Sequence, residues 1–279
     1  MTTRHKVLIA SEWGYGKSVL ALSYSRFMPQ DEDMLTLDYE DGQEYYIAPT
    51  REQANPEKCL FFARRVLAPS VYEVKAIVHK IIDPERPGKE LVIDRKPIQP
   101  QLLSKEVKAL MAEIGERKLN PTAICFDTVT RLCELTVGKV FGDLIDRRGE
   151  DFADKMSQLT WAKVKDDLSE LFYQIITEAR LSLIMTAWAK NKFDKETRQS
   201  TKELIADVLK NVNAFVSLGL MLEKSANPRI RVPRATVTKS RLIALPQGAT
   251  LEKATWDAIF AAEPQFTFID PTPDQKEVA

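Results

Sequence analysis

Short apolar blocks alternate along the chain with segments whose apolar residues recur every three or four positions, which predicts strands interleaved with helices. Lys6 to Ala10 (KVLIA) is the first block and reads as a buried strand. Ser11 to Gly16 (SEWGYG) is a glycine-containing turn, and Lys17 to Phe27 carries apolar residues at helical spacing with Pro29 just beyond. A second strand is predicted over Met34 to Tyr39, closed by the acidic turn Glu40-Asp41-Gly42.

Prolines at 49, 56, 69, 84, 87, 97 and 100 cut the next stretch into short pieces. Within it Val71 to Ile82 has helical spacing and Glu90 to Asp94 reads as a small strand. Ser104 to Leu119 is an amphipathic helix with a capping serine. Ala123 to Phe126 (AICF) is a strand that stops at Asp127. Residues 136 to 158 are polar and lack a clear period, and helical spacing returns over Leu159 to Ala179. Leu181 to Ala187 (LSLIMTA), the most hydrophobic run, reads as a central strand. Lys190 to Lys202 is expected to be a charged loop and Glu203 to Lys210 a short helix. Strands follow over Phe215 to Leu222 and Ile230 to Val237, the latter ending in Thr238-Lys239-Ser240-Arg241. The fold class is therefore α/β, a mostly parallel central sheet flanked by helices. A single domain over 1–263 is expected, with a helical or irregular insertion at about 49–119 and a loosely attached tail over 264–279.

Composition narrows the classes. Forty Lys+Arg balance forty Asp+Glu, with 44% apolar and 29% charged residues. That excludes a disordered chain and a protein that coats nucleic acid through bulk positive charge. Cys59, Cys125 and Cys133 form no CxxC pair, and with only His5 and His79 a structural zinc site is not expected. Free thiols in a reducing compartment are the simplest reading. No apolar run approaches the ~20 residues that span a bilayer, and Val7 to Ala10 is too short for a signal-peptide core, so a cytoplasmic protein without membrane contact is expected.

The octet Ser11-Glu12-Trp13-Gly14-Tyr15-Gly16-Lys17-Ser18 carries the sharpest chemistry. Glycines let successive backbone N–H groups turn toward an anion, and the helix behind them favours negative charge. A lysine then reaches the β- and γ-phosphates and a hydroxyl ligates magnesium. Gly14, Gly16, Lys17 and Ser18 supply these parts, with Val19 opening the helix. One departure is Ser11, which stands where the GxxxxGK[ST] pattern has its first glycine.

With these residues in view, the chain resembles a RecA-type P-loop ATPase, over roughly residues 5–48 and 120–245. The second strand, Leu37-Asp38-Tyr39-Glu40-Asp41, is similar to the family strand whose terminal glutamate polarises the attacking water. AICF followed by Asp127 resembles Walker B, whose aspartate holds magnesium through water. Thr186 is the polar residue near the end of the next strand, where the family senses the γ-phosphate. Lys239-Ser240-Arg241 is similar to the KxR pattern whose cations reach a neighbouring subunit's ATP site. Within the superfamily the arrangement most resembles short phage-encoded RecA-like ATPases of single-strand annealing and recombination, which implies a location in host cytoplasm.

The resemblance implies ATP and Mg²⁺ as cofactors, hydrolysis rather than phosphoryl transfer to an acceptor, and a homo-oligomeric ring or filament. Catalytic roles then fall to Lys17, Glu40, Lys239 and Arg241, nucleotide binding to Ser11, Glu12, Trp13, Gly14, Tyr15, Gly16, Lys17, Ser18 and Val19, and metal binding to Ser18 and Asp127. Residues Lys190, Lys192, Phe193, Lys195 and Arg198 occupy the position of a mobile DNA-binding loop, with Phe193 available to stack on a base of single-stranded DNA. Plainer alternatives stay open: Glu40 as a solvated turn carboxylate, the cations as solvated surface, and Trp13 as either a nucleotide cover or a packing residue. Competing functions are a P-loop switch or assembly factor that binds a protein without DNA, and a small-molecule kinase.

Overall fold

The opening block is a strand buried on both faces, and the period of two explains how. In the computed structural model, which describes residues 5–29, 32–67, 79–82, 90–93, 121–148, 158–178, 181–194, 197–224 and 232–264, β1 (Lys6–Ser11) is followed by α1 (Lys17–Ser23), β2 (Asp33–Asp38) and β3 (Arg64–Leu67). β4 (His79–Ile82) and β5 (Glu90–Ile93) form a separate antiparallel pair. Next come β6 (Pro121–Asp127), α2 (Val129–Arg148) and α3 (Gln158–Tyr173). The chain continues through β7 (Ser182–Asp194), β8 (Gln199–Ala206), α4 (Lys210–Phe215) and β9 (Leu218–Glu223). It closes with β10 (Arg234–Ser240), β11 (Thr250–Leu251) and α5 (Trp256–Ala262).

Val7 and Ile9 enter one apolar cluster, with Leu20 and Leu22 of α1 and Trp256, Ile259 and Phe260 of α5. Leu8 and Ala10 enter the other, with Leu132 of α2, Leu168 and Phe172 of α3 and Val212 of α4. Successive side chains of a strand point to opposite faces, so a continuous apolar run requires a helical layer on each side. The sheet order is β11-β10-β9-β1-β7-β6-β2-β3, with β8 paired to the outer part of β7. The strands from β9 to β3 run parallel to one another, and β10 and β11 add an antiparallel edge.

β1 lies between β7 and β9, whereas α1 carries the chain past β7 and β6 to β2. In such open sheets the crevice for a ligand lies beyond the carboxyl ends of the strands, where connections diverge. The register brings four of those ends level: Ser11 sits opposite Trp188, and Asp38 opposite Asp127.

Several expectations are corrected. His79–Ile82 is a strand rather than the end of a helix, because Ile81 and Ile82 pair across to Leu91 and Glu90; residues 71–78 lie outside the described residues. The charged loop and the short helix after it are instead a hairpin. β7 runs on to Asp194 and pairs antiparallel with β8, so 203–206 are extended and the helix starts only at Lys210. Residues 136–148 belong to α2, whose buried side includes Leu132, Thr136 and Val140 at a spacing of four. Thr136 interrupts that apolar stripe and hides the period; its hydroxyl donates to the Leu132 carbonyl at 2.8 Å. The predicted helix over 104–119, the tail beyond 264 and residues 149–157 lie outside the described residues. No helix among the described residues is long and apolar enough to cross a membrane.

Candidate functional site

The glycine turn after β1 adopts the conformation its residues predict. Gly14 (φ 82°) and Gly16 (φ 80°) are both left-handed, where a Cβ is unfavourable. Gly16 caps α1, and its carbonyl accepts the first helical bond from the Leu20 N–H at 2.9 Å. The N–H groups of Lys17, Ser18 and Val19 precede that bond and have no intrahelical acceptor. Ser11 keeps the extended backbone of β1, opposite Trp188, and its hydroxyl donates to the Glu12 carbonyl at 2.6 Å. A serine therefore fits where the motif has glycine, because the chain is still a strand there. Trp13 is 84% exposed, which removes the packing alternative for it.

Across the crevice, β2 and β6 bring acidic groups together. Asp38 is fully buried; its carboxylate accepts from the backbone N–H groups of Glu40 (3.1 Å), Gly42 (3.4 Å) and Gln43 (3.0 Å) and is paired with Arg65 of β3 at 2.9 Å. That clamp shapes the turn bearing Glu40. Gln43, also fully buried, donates through Nε2 to Asp127 Oδ2 at 2.7 Å and accepts from the Thr36 hydroxyl at 2.6 Å. The Thr186 hydroxyl donates to Asp127 Oδ1, and the Thr128 hydroxyl donates to Glu40 at 3.1 Å.

Lys17 is 7% exposed, and burial lowers its pKa from 10.5 against the opposing charges of Glu40 and Asp127. Burial first, then the neighbouring Asp127 charge, raises the Glu40 pKa from 4.5; the Thr128 hydrogen bond, Lys17 and Arg131 pull the other way. A cleft of about 520 Å³ joins these elements, lined by Trp13, Gly16, Lys17, Glu40, Arg131 and Trp188 among others.

The donor set suits magnesium. Ser18 and Asp127 offer hard oxygens, and a carboxylate with about four acceptor sites keeps two beyond its bonds from Gln43 and Thr186. Among the described residues no three His, Cys, Asp or Glu side chains group as a metal cage, and a magnesium ion that keeps its waters and binds phosphates needs none.

A family model described as an AAA domain matches residues 3–241. The chain belongs to the AAA-domain family. With the sheet and phosphate loop described above, this AAA domain is a RecA-like P-loop ATPase in family and fold. A crystal structure of the RadB recombinase is similar at 13% identity and a TM-score of 0.46, covering 89% of this chain and 86% of that one. No curated protein matches the chain.

Other predicted residues of the AAA domain lie elsewhere. Lys239 and Arg241 sit at the amino-terminal end of the parallel strands, opposite the phosphate loop, since Ser240 pairs with Leu218 and the Arg241 N–H donates to the Ser217 carbonyl. The Lys239 ammonium donates to the Asn213 carbonyl, and the Arg241 guanidinium to the Ala214 carbonyl at 3.0 Å. Lys190, Lys192, Phe193 and Arg198 lie on the β7–β8 hairpin, with Phe193 58% exposed; Lys195 lies outside the described residues. Lys190 pairs with Asp207, and Lys192 with Glu203 at 2.8 Å. Gln43, Arg65 and Arg131 were not singled out from sequence. Gln43 and Arg131 had one sequence signal, closeness in the chain to Glu40 and Asp127, whereas Arg65 stands 24 positions beyond Asp41 and had none.

Proposed function

We propose that this AAA domain binds ATP with magnesium and hydrolyses it, acts on single-stranded DNA in recombination or annealing, and has its ATP site completed by a neighbouring subunit. The observation that supports the hydrolytic part is the meeting of Lys17 and Glu40 in one cleft beside the phosphate loop, with the buried Asp127 close enough to act on both charges. Lys17 and the loop N–H groups hold the β- and γ-phosphates. Glu40 accepts a hydrogen bond from the attacking water and aligns it with the γ-phosphorus; the Thr128 hydroxyl orients that carboxylate. Gln43 and Thr186 fix the plane of the Asp127 carboxylate. Ser18 and Asp127 would hold magnesium, which when bound would supply charge neutralisation to the phosphates. Lys239 and Arg241, which donate to the Asn213 and Ala214 carbonyls at the far end of the sheet, serve the site of the next subunit rather than their own.

For DNA, the supporting feature is the projecting β7–β8 hairpin with its exposed Phe193 and lysines. A second reading, a P-loop switch or assembly factor that docks a protein without DNA, is favoured by the pairing of Lys190 and Lys192 with acidic partners. One experiment separates them: ATP turnover of the purified chain with and without single-stranded DNA at low salt. A rise with DNA, lost on Lys17→Ala, is expected. Turnover indifferent to DNA together with no gel shift would leave the switch reading.

A further inference from the structure

The candidate catalytic cations, Lys239 and Arg241, lie far from the cleft of their own subunit, yet an arginine already lines that cleft. Arg131 stands in the first turn of α2, directly after the Asp127–Thr128 strand end. Its guanidinium lies over the Trp188 ring, 4.2 Å from the centroid. Trp188 is itself level with Ser11, where the phosphate loop begins, so the stack stands beside that loop. Two bonds fix the tryptophan's backbone: its N–H donates to the Thr130 hydroxyl at 2.9 Å, and its carbonyl accepts from the Asp207 N–H at 2.6 Å. Its buried Nε1–H has no acceptor among the described residues, an unmet donor at the cleft wall.

The charge partner of Arg131 is Glu134, three residues on, whose side chain is 48% exposed. An exposed pair within one helical turn is a weak tether. A phosphate offers the planar guanidinium two acceptors and a larger charge, so the exchange favours an anion in the cleft. Arg131 also contributes to holding down the pKa of Glu40, as a cation near the reacting end of the cleft does.

We propose that Arg131, held over the ring of Trp188, is a cation supplied in cis that contacts the γ-phosphate and distinguishes nucleoside triphosphate from diphosphate. The proposal rests on the reading of the Lys17 loop as the phosphate site, and its test is built to separate the two.

The affinities of the 279-residue chain for the non-hydrolysable triphosphate AMP-PNP and for ADP are measured by titration calorimetry. Arg131→Gln is expected to weaken AMP-PNP binding about tenfold and ADP binding less than about twofold, the pattern of a lost charge-assisted contact to one phosphate. Arg131→Lys, which keeps the charge without the fork, is expected to fall between, and Glu134→Gln to leave AMP-PNP affinity equal or higher. If both Arg131 variants keep the wild-type ratio of the two affinities, or lose both affinities in parallel, the proposal is overturned. Lys17→Ala reports on the underlying reading: retention of full affinity for both nucleotides would overturn that reading and this proposal with it, whereas loss of both with an unchanged ratio in the Arg131 variants sinks the proposal alone.

Discussion

At the scale of single residues, the proposed chemistry turns on two charges of opposite sign, the buried Lys17 and the half-buried Glu40. Glu40 has its pKa raised from 4.5, chiefly by burial and then by Asp127, and in the proposed mechanism it works as the carboxylate. Turnover is therefore expected to fall as pH drops through that raised value, above pH 4.5, and Glu40→Gln to lower turnover by about 10²–10⁴ and abolish that acidic limb. A raised pKa in the fold means that the stability contribution is present below the unfolded value and lost as pH rises through the folded one. At neutral pH the ionised carboxylate is thus a burden, and Glu40→Gln is expected to raise the melting temperature while removing activity. A pH–rate profile beside thermal melts of both proteins checks this; a variant less stable than wild type at pH 7 would contradict it. Lys17, lowered from 10.5 by burial, is expected to lose its phosphate-holding charge on the alkaline side, which the same pH–rate profile reads. Gly14, Gly16 and Lys17 were legible from sequence because their roles depend on local backbone freedom and spacing. Gln43 was not: its bond to Asp127 joins residues 84 positions apart, and nothing near either one announces it.

At the scale of elements, the two ends of the described chain lock the phosphate helix. Trp256 of α5 is 1% exposed, stacks edge-on to Tyr24 at 4.9 Å, and donates through Nε1 to the Leu20 carbonyl of α1 at 2.7 Å. Trp256→Ala is expected to cost about 3–5 kcal/mol by cavity formation. Trp256→Phe keeps most of the volume, and the Leu20 carbonyl retains the Ser23 hydroxyl at 2.7 Å, so the loss of the indole donor should cost about 1 kcal/mol. Urea unfolding curves of both variants measure the difference, and equal losses would show that the hydrogen bond rather than packing dominates. Strands buried on both faces announced themselves as apolar runs. The hairpin did not: β8 takes its strand character from pairing with β7, and its exposed, mixed-charge residues match a helix or loop equally well on local pattern.

At the scale of the whole molecule, the cleft and the KxR pair occupy opposite ends of one sheet. A subunit so arranged offers a phosphate site at one end and two cations at the other, which suits head-to-tail assembly. Mixing Lys17→Ala subunits with Arg241→Ala subunits is expected to restore part of the turnover that each lacks alone, since a junction with an intact loop and an intact arginine then forms. An assembled mixture with no recovery would remove Arg241 from the ATP site. Arg131 gives the same experiment a second use, because a cation in cis leaves residual triphosphate binding in an unassembled subunit.

The α/β alternation, the phosphate loop, the acidic turn bearing Glu40 and the strand end at Asp127 were determined by the sequence alone, because each depends on residues adjacent in the chain or on a short period. Which groups face the same cleft was decided by tertiary structure. Sheet register brought Trp188 beside Ser11 and Asp127 beside Asp38, and burial shifted the pKa of Lys17 down and that of Glu40 up. The pairing of the hairpin lysines with Asp207 and Glu203, and the separation of Lys239 and Arg241 from the cleft, follow from the same cause: charge acts through distance in space, which strand order sets and sequence separation does not.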